Sequence, residues 1–389
     1  MSSYISSNAN RFYTALESAY GQVAAITAAN RIPALKLAID QQIETRARKD
    51  KTGSRTFPGM PAGGRLRTNF ELRTYLTSWN GSGTPAYGPL FQATLGGAPM
   101  NFAGGTVASY TAAGRLQFTM AHGLSAGQAL AYGGEIRFVS AIVDSQTVQL
   151  NTPFTSAPAA NAQIGPAVTY MPATELPSAT VFDYWDPATA VQRLLCGAAV
   201  DQMQILLNGD YHEIRFKGLA QDVLDSTSFT TGQGQLQSFP AEPAPGAFDF
   251  TIVPGNMGEA WLGTPAAQFF TITSASVTVK NGLDTRSREF GTHLPQAIAP
   301  GERVVTADIE LFELNDSATA SLYQAARQQS PMSAMFQLGQ VQGHLMGVYL
   351  KSVIPAVPQF DDSENRLQWK FQSSRAQGTV NDEVMVAFA

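Results

Sequence analysis

Apolar and polar residues alternate along much of this chain in short runs, and glycine, proline and asparagine separate the runs; this pattern predicts strands joined by turns. Leu35, Leu37 and Ile39 alternate, residues 41–48 continue as a polar strand, and residues 67–77 return as another. Between them, residues 50–64 hold four glycines and two prolines and must form a long loop. Further strands are expected at 116–118, 135–143, 147–150 and 167–170, with Asp144 and Ser145 turning one hairpin. Two more, at 203–207 and 211–217, flank the hairpin signal Asn208-Gly209. Ala275, Val277 and Val279 open a second series, continued at 332–338, 345–353, 366–372 and 383–388. Four segments read as helices. Residues 10–19 place Phe12, Leu16 and Tyr20 a turn apart before Gly21, residues 90–95 end at Gly96-Gly97, residues 186–195 carry Pro187 at the first helical position, and residues 318–328 form the fourth.

The pattern occurs twice. Ile43-Glu44-Thr45-Arg46-Ala47-Arg48 returns as Leu283-Asp284-Thr285-Arg286-Ser287-Arg288. A Gly/Pro-rich stretch follows each copy, then Phe70-Glu71-Leu72 or Ile309-Glu310-Leu311, then Leu90-Phe91-Gln92-Ala93 or Leu322-Tyr323-Gln324-Ala325. Matches in the same order imply a duplicated domain. Residues 98–172 have no counterpart in the second half and read as a small inserted β domain. The expected organisation is a first domain of residues 1–97 and 173–229, the insertion, a Gly/Pro/Gln-rich linker at 230–268, and a second domain at 269–389. The fold class is mainly β (α+β): two tandem β-sandwich or barrel domains, each flanked by a short helix, plus the insertion.

Composition changes this picture in two ways. Charged residues make up only 14% of the chain, against about 25% in ordinary domains, as suits a surface covered by neighbours in an assembly. The net charge of −5 is unevenly spread. Arg46, Arg48, Lys49, Lys51, Arg55, Arg65, Arg67 and Arg73 stand against Asp50 and Glu71 alone, so one segment is strongly basic and the remainder acidic. A basic loop of this kind suits docking between subunits or a nucleic-acid patch; few aromatics interleave to stack bases. The lone Cys196 excludes an intrachain disulfide. No apolar run is long enough to span a membrane, and Met1-Ser2-Ser3-Tyr4 does not open a secretory signal.

Candidate chemistry is thin. Gly123-Leu124-Ser125-Ala126-Gly127 has the spacing of a nucleophile elbow, and His122 stands beside it. The elbow needs a buried strand before it and a long helix after it, and neither is expected there. His122, His212, His293 and His344 lack ligand spacing, and Asp361-Asp362-Ser363-Glu364 lacks the spaced acids and central glycine of a calcium loop. No phosphate-binding glycine loop occurs. No catalytic, metal or cofactor site is expected. Two rival readings remain: a β-rich adhesin or carbohydrate-binding virion module, which would need an exposed aromatic platform, and a hydrolase resting on Ser125.

The chain resembles the major tail tube proteins of long-tailed bacteriophages. The resemblance rests on the strand ending in Arg-x-Arg, the long Gly/Pro loop, the returning strand and the Leu-Phe-Gln-Ala or Leu-Tyr-Gln-Ala helix start. Residues 379–384 before a last apolar strand and residues 127–129 and 152–154 of the insertion add to it. The resemblance implies β-sandwiches whose sheets join edge to edge around a lumen, and outreaching loops that contact a neighbouring ring. Arg46, Arg48, Lys49, Lys51, Arg55 and Arg65 would serve that contact in the first copy, Arg286 and Arg288 in the second. It implies a virion tail protein assembled in the host cytoplasm. Its partners would be further copies of itself, a tape measure protein, a tail terminator and a distal tail protein, with genomic DNA passing unbound and no membrane. Two domains per chain imply trimeric, pseudo-sixfold rings, with hexameric rings as the alternative. Glu44, Glu71, Asp284 and Glu310 are the expected lumen acids. The insertion is expected on the outside, where its deletion leaves the tube intact.

Overall fold

The structure is a computed structural model that describes residues 4–389 except 46–47, 60–63, 245, 247 and 287–288. The first half begins with strands β1 (Asn10–Leu16), β2 (Arg31–Ile32), β3 (Ala34–Glu44) and β4 (Arg65–Tyr75), then helix α1 (Gly88–Leu95). Eight short strands follow: β5 (Met100–Phe102), β6 (Gly105–Tyr110), β7 (Arg115–Phe118), β8 (Ala129–Tyr132), β9 (Glu135–Ile142), β10 (Thr147–Leu150), β11 (Gln163–Ile164) and β12 (Ala167–Tyr170). The first half closes with β13 (Ala179–Trp185), β14 (Arg193–Leu207), β15 (Glu213–Ala220) and β16 (Asp222–Asp225). The second half runs β17 (Gly258–Gly263), β18 (Ala267–Gln268), β19 (Ile272–Lys280), β20 (Asp284–Thr285), β21 (Ile298–Ala299) and β22 (Val304–Phe312). Helix α2 (Ser317–Gln328) precedes β23 (Met332–Leu338), β24 (Met346–Ile354), β25 (Gln359–Asp361), β26 (Gln368–Gln377) and β27 (Met385–Phe388).

The protein is mainly β, and its strand pairings repeat. In the first half β1 pairs with β2 and β13, β13 with β14, β3 with β4, β4 with β15, and β15 with β14. In the second half β17 pairs with β18 and β23, β23 with β24, β19 with β22, β22 with β26, and β26 with both β24 and β25. Each half is thus a β-sandwich with an outer sheet (β2-β1-β13 or β18-β17-β23) and an inner sheet (β3-β4-β15 or β19-β22-β26). The long strand β14 serves both sheets of the first half. It bends at Gly197, whose φ of +62° and close approach to Gln221 leave no room for a side chain. The buried Glu17 carboxylate pins this corner by accepting from Gly21 N, Gly197 N, Ser178 Oγ and Thr180 Oγ1 at 2.6–2.9 Å.

The two inner sheets are one. Strand β14 pairs antiparallel with β19, from Gln202 opposite Lys280 to Leu207 opposite Ala275. The resulting order is β3-β4-β15-β14-β19-β22-β26-β25, antiparallel throughout. A single apolar core runs beneath it through both halves.

Several expectations are corrected. Residues 10–16 form a strand rather than a helix. Phe12 enters the sandwich core while Tyr13 is covered on the opposite face by residues of the 229–239 segment, so burial on both sides hides the alternation that marks a strand. Residues 186–195 form no helix. Gln192 ties a turn through Trp185 N and O at 2.6 and 3.0 Å, and Leu194 and Leu195 then enter β14. Strands β17 and β18 lie inside the span 230–268 expected as a linker and belong to the second sandwich by their pairing. The part of that span that does connect lies across the first sandwich, where Glu242 accepts from Arg11 Nε at 2.5 Å and from Tyr13 Oη at 2.8 Å.

The insertion is a six-stranded barrel in the order β11-β6-β7-β10-β9-β8, closed by a bridge between Ala131 and Gly165 around its own apolar core. Strands β5 and β12, at the ends of the inserted span, belong to the main fold: β12 joins β5 to β27, which pairs with β24. The barrel is seated on the outer sheet of the second sandwich. Phe138 stacks on Tyr349 at 5.3 Å between ring centroids, and Gln337 accepts from Ile136 N at 3.0 Å and donates to Gly134 O at 3.1 Å. At the seat, Arg137 is wholly buried, with its guanidinium 4.1 Å from the Trp261 ring centroid and in contact with Glu135. Removing the barrel would bare Trp261, Met335 and Tyr349 of the second sandwich.

Replacing Arg137 by alanine should therefore cost on the order of 3 kcal/mol, as for other broken buried ion pairs. Urea denaturation measures this, and an unchanged midpoint would show that the seat does not depend on the guanidinium.

Candidate functional site

The feature the sequence points to is the polar face of the eight-stranded sheet together with the two loops that leave its hairpins. Alternation builds the face. In β4, Thr68, Phe70, Leu72 and Thr74 are buried, so Arg65, Arg67, Asn69, Glu71 and Arg73 point the other way. In β22, Val305, Ala307, Ile309 and Leu311 are buried and Thr306, Asp308 and Glu310 share that opposite face. The same alternation brings out Glu213, Arg215 and Lys217 on β15 and Gln368 and Lys370 on β26. The face is hollowed over the β14–β19 joint, where a depression of about 800 Å³ is lined by residues including Leu206, Glu213, Ser276, Asp308 and Glu310.

The charges are matched, and the matching is duplicated. Glu71 lies directly opposite Lys217, and Glu310 lies directly opposite Lys370. Glu71 reaches Lys217 Nζ at 3.4 Å and Arg73 Nε at 2.5 Å. Partial burial would raise the pKa of Glu71, but the hydrogen bond from Arg73 and the charge of Lys217 outweigh it and hold the carboxyl below its ordinary value. Glu310 accepts from Ser274 Oγ at 3.0 Å. Lys370 donates to Asp361 at 2.6 Å, a bond that raises the Lys370 pKa and lowers that of Asp361. Glu213 pairs with Arg215 at 2.6 Å.

The expected lumen acids are thus not equivalent. Glu71 and Glu310 are half-buried members of the face, Glu44 is an exposed residue opposite Arg65 at the rim, and Asp284 is exposed on β20, beyond the sheet. The loops also differ. In the first, Arg48, Lys49, Lys51 and Arg55 are exposed, with Arg48 contacting Asp50, and Arg46 lies outside the described residues. In the second, β20 and β21 extend the hairpin, Arg286 contacts Glu289, and Arg288 lies outside the described residues. This second loop lies on the first sandwich: Leu66 N donates to His293 O at 2.9 Å and Gln221 Nε2 to Pro295 O at 3.0 Å. Between them, Glu44, Arg65 and Arg67 face Asp284, Arg286 and Glu289 across a groove of about 590 Å³.

Sequence reasoning missed the two cations Lys217 and Lys370. The signal was present as Arg215-Phe216-Lys217 and Gln368-Trp369-Lys370, each placing an aromatic residue before a lysine on the strand beside the repeated Glu. The other candidates are turns. Ser125 is exposed, and the ring of His122 is held by Leu124 N at 2.8 Å and Asp144 O at 3.0 Å. Among the described residues no three His, Cys, Asp or Glu side chains are placed to hold a metal ion, and no helix is long and apolar enough to cross a membrane.

Reversing one charge tests the matched face. Lys217→Glu sets two acids directly opposite and should cost about 1 kcal/mol. Adding Glu71→Lys should recover part of that loss in a double-mutant cycle, and strictly additive losses would show that the pair contributes nothing. No protein-family model matches the chain, and no curated protein matches it.

Proposed function

We propose that this chain is a structural virion protein that polymerises into the tail tube of a long-tailed bacteriophage, as its resemblance to that family implies. Three copies close a pseudo-sixfold ring, and rings stack into a conduit for DNA. The observation that carries the reading is the β14–β19 joint, where two sandwiches of the same strand order already share one sheet within a single chain. A repeating unit that joins its own like edge to edge can add further copies by the same operation, and repetition of one rotation closes a ring.

On this reading the hollowed polar face lines the lumen. DNA then passes a wall where Glu71 and Glu310 stand opposite lysines in adjacent strands and Glu213 pairs with Arg215, rather than a wall made repulsive by acids alone. A self-neutralised wall offers a polyanion neither strong attraction nor strong repulsion beyond the screening length of about 8 Å. The insertion lies on the opposite, outer sheet, where it leaves the lumen clear and braces the second sandwich. The exposed cationic loop at 48–55 is free to meet the next ring.

Negative-stain imaging of the concentrated protein tests the proposal. Tubes or stacked rings with three copies per ring are expected; rings of six chains would overturn the stoichiometry, and a protein that stays monomeric at every concentration would overturn the function.

A further inference from the structure

The eight-stranded sheet ends in two edges whose outer sides have no ladder among the described residues: β3 pairs only with β4, and β25 only with β26. The internal joint contains the information needed to say how such edges meet. Glu71 faces Lys217 and Glu310 faces Lys370, so Lys370 holds the place of Lys217. Lys217 in turn lies opposite Gln202, and Lys370 opposite Gln359. Gln359, Phe360 and Asp361 therefore stand where Gln202, Met203 and Gln204 stand in the first sandwich. On the other side, Ile39 faces Phe70 as Ala275 faces Ile309. Gln42, Ile43 and Glu44 therefore stand where Thr278, Val279 and Lys280 stand in the second, and the sequence match of Ile43-Glu44 with Leu283-Asp284 is corrected, because Leu283 lies past the end of β19.

Within the chain, Met203 meets Val279 across the joint and both are 0% exposed. Their counterparts at the free edges, Phe360 and Ile43, are 55% and 61% exposed. We infer that β25 of one copy pairs antiparallel with β3 of a second copy in a fixed register, Phe360 opposite Ile43, Gln359 opposite Glu44 and Asp361 opposite Gln42. The inference rests on the tube reading and names the contact that builds its rings.

The surroundings of both residues fit this contact. Phe360 lies 5.6 Å from Trp369 and 6.0 Å from Tyr323 of α2, so Ile43 of the second copy would complete an aromatic patch that is open on one side. On the polar face, Glu44 arrives beside Gln359, whose other neighbour is Lys370, and Asp361 arrives beside Gln42, whose other neighbour is Arg67. Unlike charges approach across the seam in both rows. Two β25 edges brought together would instead set Asp361, Asp362 and Glu364 of each copy against their own kind, which disfavours pairing of like ends.

Single-cysteine variants test the register. Directly opposed antiparallel residues have Cα atoms about 4.5–5.5 Å apart, within disulfide range. The native Cys196 is buried, and burial pushes its thiol pKa up to about 12, so it does not compete. Mixing Ile43→Cys with Phe360→Cys under oxidised glutathione should give a cross-linked dimer absent from either variant alone. Gln42→Cys mixed with Phe360→Cys should give far less, because Gln42 points to the other face. Assembly by imaging with no 43–360 cross-link, or with an equal 42–360 cross-link, overturns the register and leaves the tube reading standing. No cross-link and no assembly overturns both. Phe360→Asp, at an exposed position, should keep the native circular dichroism spectrum and abolish assembly; retained assembly would overturn the inference.

Discussion

The backbone ladder between β14 and β19 is the constraint from which the rest of the molecule follows. A sheet edge exposes a row of N–H and C=O groups that must find partners or water. Here one sandwich satisfies the edge of the other, and the pairing fixes how the two halves sit. The polar face becomes continuous, the apolar core runs unbroken beneath it, and helix α1 is closed in between the halves. Phe91 of that helix touches Phe216 of the first sheet at 5.4 Å and Phe388 of β27 at 5.2 Å. Asn281, just after β19, donates to Thr94 O at the end of α1 and to Val200 O on β14, tying helix and joint together. The matching helix α2 carries the same Leu-x-Gln-Ala pattern in its middle, at 322–325, but buries only Thr319, Leu322 and Ala326.

What could be read from the sequence was what alternation and repetition record. The Phe70-Glu71-Leu72 and Ile309-Glu310-Leu311 matches mark equivalent strands because in both an acid alternates with two core residues. Both helices that carry the repeat motif exist within a residue or two of their expected bounds. Residues buried on both faces were illegible: β1 lost its period to the segment that covers Tyr13, and its Phe12–Leu16 spacing imitated a helix turn. Charge partners distant in sequence were illegible too. Lys217 and Lys370 look like ordinary solvent-exposed residues until pairing sets them opposite Glu71 and Glu310. Arg137 has the same ambiguity, since a lone arginine in a strand gives no sign that Trp261 will lie over it.

The two halves differ where their surroundings differ. The second hairpin is extended by β20 and β21 and rests on the first sandwich, so its loop has a partner inside the chain and little need of charge. The first hairpin leaves from a sheet edge, and the described part of its loop is exposed and cationic. The two halves repeat each other's strand pairings, and the loops differ between the internal and the free position.

The placement of β12 against β27 also orders events in time. Strands β5 and β12 and the barrel between them are made early, yet their seat consists of β17, β23, β24 and β27. Residues 385–388 must be synthesised before β12 has its second ladder, beyond the one it makes with β5, and before Phe91 has Phe388 as a neighbour. Until then a nascent chain carries an unseated barrel and an α1 covered only by the first half. Strand β27 thus locks the first half to the second, with β12 on one side and β24 on the other.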